Sequence, residues 1–167
     1  MQQGTGPQPE GPRRQGPGKR KSGQRHASAG GPRRHAREIV VKILYEAELG
    51  GLTRGEAEER IVRKLRRPEE RDFALGLLAL TLENIEQIDR MIARVAENWD
   101  PVRMAAMDRN AIRLGAAEIL FGDAPVKVAI NEAIEVAKKF STENSGSFVN
   151  GILDRVARIK NEIRGNI

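Results

Sequence analysis

Three arginines, Arg33, Arg34 and Arg37, and the only tyrosine, Tyr45, carry the clearest chemistry in this sequence. A guanidinium binds phosphate through paired N–H donors, and an aromatic or guanidinium plane stacks an unpaired base. The combination suits single-stranded nucleic acid. On a helix turning about 100° per residue, Arg34, Arg37, Val41 and Tyr45 fall within an arc of roughly 80°. A basic stripe would then run beside the buried face and end at the tyrosine. The plainer alternative is a set of solvated charges partly offset by Glu38, with Tyr45 a packing residue. Three cations in the first turns of a helix also oppose its dipole, at a cost of roughly a few tenths of a kcal/mol each. A local rule broken in this way favours function over stability as the reason. Aromatic residues make up only 4% of the chain, too few for a platform that stacks many bases. A specific site would need a second protein to complete it.

Other chemistries find little support. The sequence has no cysteine and only two histidines, His26 and His35, which removes thiolate and most imidazole metal sites and most nucleophile–base pairs. No nucleophile elbow and no dinucleotide-binding glycine pattern is present. Gly18-Lys19 lacks the glycine spacing of a phosphate loop, is followed by Arg20 rather than Ser or Thr, and has no strand before it. The acidic pairs Glu58-Glu59 and Glu69-Glu70 sit in charge-rich segments that read as solvated faces. The expectation is a protein that is not an enzyme, with no catalytic residue, no metal and no cofactor.

Charge is distributed unevenly. Eight basic residues precede His35 against the single acid Glu10, although the whole chain carries only +6. The folded part is therefore close to neutral. Residues 1–31 are rich in Gly, Pro, Gln, Ser and Arg and offer almost nothing to bury, which predicts a disordered tail. Such a tail either holds RNA nonspecifically through phosphate contacts or merely solubilises the protein. Residues 32–167 form the predicted domain. No apolar run is long enough to span a membrane and no signal-peptide core is present, so a cytoplasmic protein is expected.

Helical periodicity positions the candidate residues. Pro32 opens a first helix with Ile39, Val40, Ile43, Leu44 and Ala47 on one face. Thr53 caps a second, and Pro68 precedes a long periodic stretch to about Trp99 that bends or breaks near Glu83-Asn84. Asp100-Pro101 starts a short helix, Asp108 caps the next, and Gly122-Asp123 ends it. Pro125 opens a helix carrying Ile130, Ala133, Ile134, Ala137 and Phe140. After the polar break Ser141–Ser147, a last helix carries Val149, Ile152, Leu153, Val156 and Ile159. The fold class is all-α, a compact bundle of about seven helices. Asn131 and Asn150 lie within apolar patterns and are expected to hydrogen-bond the two C-terminal helices together, with Gly151 permitting close approach.

Four stretches together resemble the NusB family of bacterial transcription antitermination factors. They are R-R-H-A-R-E at 33–38 with I-L-Y at 43–45, I-D-R-M-I at 88–92 with Trp99, D-R-N-A-I-R-L-G-A-A-E-I-L at 108–120, and V-K-V-A-I-N-E-A-I-E-V-A-K-K-F with F-V-N-G-I-L-D between 126 and 154. The resemblance spans about Pro32 to Ile163. It implies an RNA-binding adaptor that pairs with NusE, a ribosomal protein of the small subunit. The pair would bind the boxA element of nascent RNA and deliver it to the RNA polymerase antitermination complex, supporting transcription of ribosomal RNA operons. It further implies RNA contacts at Arg33, Arg34, Arg37, Asn144 and Ser145, and a partner surface at or near Tyr45, Asp108 and Glu118. Where many members carry Asp, this chain has Asn144, and the lost negative charge should favour RNA modestly. Two other readings remain: a helical domain of an rRNA methyltransferase system, or a structural module that dimerises when free.

Overall fold

The computed structural model describes residue 1, residues 31–96 and residues 104–165. Among them are seven α-helices and no strand: α1 (Gly31–Gly50), α2 (Arg54–Lys64), α3 (Pro68–Glu83), α4 (Ile85–Val95), α5 (Ala106–Phe121), α6 (Val126–Phe140) and α7 (Ser145–Gly165). The all-α architecture matches the reading from periodicity. Trp99, the helix expected at Asp100-Pro101 and nearly all of the tail lie outside the described residues.

Local chemistry sets most of the boundaries. Thr53 caps α2 in a reciprocal box: its side chain accepts from the Glu56 N–H, and the Glu56 carboxylate accepts from the Thr53 N–H at 2.8 Å. Gly51, at φ +67°, ends α1 in the left-handed region while its N–H returns to the Ala47 carbonyl. The predicted break in the long segment falls at Asn84, which terminates α3 and precedes α4, its side-chain amide donating to the Leu80 carbonyl at 2.8 Å. Asp108 does not cap α5. Ala105 holds that position, and Asp108 lies inside the first turn.

The core is built around α5, which packs against α1, α3, α4, α6 and α7. Its sequence explains this. Ala111, Ile112, Leu114, Gly115, Ala116, Ala117 and Ile119 make it apolar and small almost all round, the signature of a helix enclosed by others. At Gly115 a Cβ would stand 2.6 Å from the Leu153 Cδ1 and 3.0 Å from the Ala133 Cβ, so α6 and α7 close on α5 where it lacks a side chain. This corrects the expectation for Gly151, which is exposed with open space around it. The asparagine expectation is corrected too. Asn131 is exposed, and Asn150 donates within its own helix to Asp154 at 3.2 Å. Apolar contact joins α6 to α7 instead, through Ala133, Val136, Ala137, Val149 and Leu153. A pattern on one helix marks which face is buried, but it does not tell a core position from one on the margin of that face.

Candidate nucleic-acid and protein interface

The α1 arginines do not form an exposed stripe. Arg37 is only 4% exposed and makes a two-pronged bond to Glu118 of α5, at 2.9 and 2.6 Å. Arg34 is half-buried and forks onto Glu132 of α6, at 3.0 and 2.8 Å, with Glu135 another 3.7 Å away. The hydrogen bond from Arg34 holds the Glu132 carboxyl below its ordinary range, and the same bond raises the guanidinium. Val41, third in the expected stripe, is buried. The unfavourable position of these cations at a helix start is thus offset by carboxylates from α5 and α6, which a helical wheel of α1 alone cannot show. Arg33 differs. It is exposed, and its guanidinium lies 5.1 Å from the centroid of the Phe73 ring, which Arg37 also approaches, at 5.2 Å. These residues border a groove of about 510 Å³ whose sides include Leu80, Phe121 and Val128.

The pairing fixes the direction of the helices. Arg37 near the start of α1 meets Glu118 near the end of α5, while Glu48 near the end of α1 accepts from Arg109 and Asn110 near the start of α5, each at 2.7 Å. The two helices are antiparallel. Asp108 and Glu118 therefore sit about 15 Å apart along α5, with Tyr45 toward the Asp108 end. The three expected partner residues do not make one patch. Glu118 is 3% and Asp108 7% exposed, whereas Tyr45 is partly exposed. Burial pushes the Glu48 carboxyl up, but hydrogen bonds from Arg109 and Asn110, with the nearby Arg113 charge, leave it below its usual value. Arg113 also forks onto Asp89 at 2.8 Å through both contacts, which ties α4 to this end.

The α6–α7 connection is anchored at the same end. Ser145 is 2% exposed, donates to the Asp108 carboxylate at 3.0 Å and accepts from the Thr142 N–H at 3.1 Å. The Ser145 hydroxyl is committed inside the protein rather than offered to a ligand. One Asp108 oxygen is buried without a hydrogen-bond partner. Asn144, by contrast, is exposed, and only its carbonyl is engaged, by the Ser147 hydroxyl at 3.0 Å and the Phe148 N–H at 3.4 Å. Buried Ser145 thus fixes the loop from which Asn144 projects.

Between Arg34 and this loop lies a face that the arginine pattern did not reveal. Arg34, Glu38 and Lys42 recur at four-residue spacing and all meet α6: Glu38 accepts from Lys139 at 2.6 Å, and the Lys42 ammonium lies 4.3 Å from the centroid of Phe140. Lys139 approaches the same ring at 5.4 Å. The i, i+4, i+8 spacing was visible in the sequence, but its meaning depended on which helix lay opposite. Among the described residues no group of three or more His, Cys, Asp or Glu side chains is arranged to hold a metal ion, and no helix is long and apolar enough to cross a membrane.

A profile of the NusB family matches residues 34–158. The chain is 43% identical over 130 residues to the transcription antitermination protein NusB of Salinibacter ruber, covering 74% of this chain and 79% of that protein. It is 43% identical over 136 residues to its counterpart from Pelotomaculum thermopropionicum, covering 79% and 93%. Among solved structures, T. maritima NusB superposes with a TM-score of 0.69 at 38% identity, covering 78% of this chain and 97% of that one. A structure of the antitermination factors NusB and NusE in complex with double-stranded RNA contains a chain that superposes at 0.70 with 28% identity, covering 77% and 97%. The match runs from the Arg34–Glu132 fork through every helix to α7, and the chain belongs to the NusB family of transcription antitermination proteins.

Proposed function

We propose that this chain is an RNA- and protein-binding adaptor that recognises boxA-type RNA together with NusE and supports antitermination on ribosomal RNA operons, acting in the polymerase complex without catalysing a reaction itself. The observation that carries the RNA part is the α1–α6 face running from Arg34 past Lys42 and Phe140 to Asn144, with Arg33 exposed at the start of α1 on the neighbouring α3 side. Cations, a half-exposed ring and a free amide side chain recur along it, the groups that hold the phosphates and bases of single strands. The roles divide by exposure. Arg33, Arg34 and Asn144 reach the strand, while Arg37 and Ser145 hold α1 and the α6–α7 loop in position. The protein-binding part rests on Tyr45 and the neighbouring start of α5, where Asp108 fastens the loop, and Glu118 contributes by fixing Arg37. The solved complex of NusB and NusE with RNA supports the pairing of both ligands on one molecule of this family.

Titration of fluorescent boxA-type and scrambled single-stranded RNA, with and without NusE, tests the reading. Affinity for the boxA strand should rise when NusE is added and that for the scrambled strand should rise less. An equal affinity for both strands, or no gain with NusE, would overturn it.

A further inference from the structure

Glu132 and Glu135 stand three residues apart on α6 and so share a face. Their engagement differs. Glu132 is spent on the fork from Arg34 and lies 3.9 Å from Arg37. The Glu135 side chain is 45% exposed and stands 3.7 Å from the Arg34 guanidinium on one side and 3.6 Å from the Lys138 ammonium on the other. Neither distance is that of a good hydrogen bond, and loose, solvated pairs of this kind contribute little to stability. The carboxylate nevertheless sits between two cations on the face assigned to RNA, where a phosphate would otherwise settle.

We propose that Glu135 is a specificity-determining residue, a carboxylate that occupies the phosphate position between Arg34 and Lys138 and so suppresses nonspecific RNA binding; this rests on the RNA reading above. A strand held by charge alone collects where cations lack counter-charges, because its binding derives from counterion release. With Glu135 in place the Arg34–Lys138 stretch is not such a location. A strand whose register is set by Asn144 and by a bound partner does not depend on that stretch alone, so it loses less. The carboxylate therefore lowers the background more than the signal.

The test compares the full chain with its Glu135→Gln and Glu59→Gln variants, measuring RNA affinity over a range of salt. Glu59 is exposed on α2 and pairs with Arg63, so its variant carries the same change in net charge away from α6. Removing one carboxylate near a phosphate should tighten scrambled RNA about fivefold at low salt in Glu135→Gln, and boxA RNA with NusE by less than about twofold. The slope of log affinity against log salt should steepen by about 0.7 for the scrambled strand, one additional phosphate contact. Glu59→Gln should do neither. A Glu135→Gln variant that matches Glu59→Gln, or that binds RNA more weakly than the parent, overturns the filter. Parent protein that binds neither strand overturns the RNA reading itself, and the filter with it.

Discussion

At the scale of single residues, the three arginines of α1 have separated into different occupations. Arg33 is exposed and stacked on Phe73, Arg34 is shared among acids at the surface, and Arg37 is buried with Glu118. Removing one member of a buried pair leaves the other charge without compensation, so Arg37→Ala should destabilise the fold by about 3–5 kcal/mol. Arg33→Ala loses only an exposed contact between cation and ring and should cost less than about 1 kcal/mol. Urea unfolding of both variants checks this contrast, and comparable losses would mean that Arg33 also carries structure. In RNA titrations the order reverses: Arg33→Ala should weaken binding and flatten the salt slope while the protein stays folded. The sequence identified these arginines as unusual for a helix start. It could not say that carboxylates 81 and 98 residues away would claim two of them.

At the scale of elements, α5 is the helix on which every other helix except α2 is assembled, and Gly115 shows how tight that assembly is. An added methyl at Gly115 would stand 2.6 Å from the buried Leu153 Cδ1 and 3.0 Å from the Ala133 Cβ, so the leucine rotamer or the spacing of α5 and α6 would have to shift. Overpacking of this kind costs about 1–3 kcal/mol, more than the preference of helices for alanine over glycine returns, about 1 kcal/mol at most. Gly115→Ala should therefore destabilise the protein. Gly151→Ala, in open space on an exposed turn of α7, should stabilise it by up to about 1 kcal/mol. Thermal or urea unfolding of the pair decides the matter, and the opposite order would show that α6 and α7 do not close on α5 as described. Capping signals were legible because they are local: Thr53 with Glu56, and the break at Asn84, follow from neighbours in sequence. The two glycines were not separable in this way, because both lie within helices and differ only in what packs against them.

At the scale of the whole molecule, the excess positive charge lies ahead of His35, while the acids on α5 and α6 neutralise much of what the fold presents on α1. Deleting residues 1–31 should accordingly reduce affinity for scrambled RNA and its salt dependence, with discrimination in favour of boxA-type RNA retained. Loss of discrimination in the same titration would move the specific contacts into the tail. The sequence by itself determined the helical class, most helix limits, the apolar faces and the family, because each depends on local propensity, on periodicity or on a run of residues read in order. It also marked Arg33, Arg34, Arg37 and Asn144 as chemically distinctive. Only the tertiary structure decided which of these side chains remain available. Glu118, Glu132 and Glu135 reach α1 through the antiparallel packing of α5 and the facing of α6, and Ser145 turns inward to Asp108. Ion pairs between distant helices depend on the relative placement of two surfaces, and that information is absent from the pattern along either one.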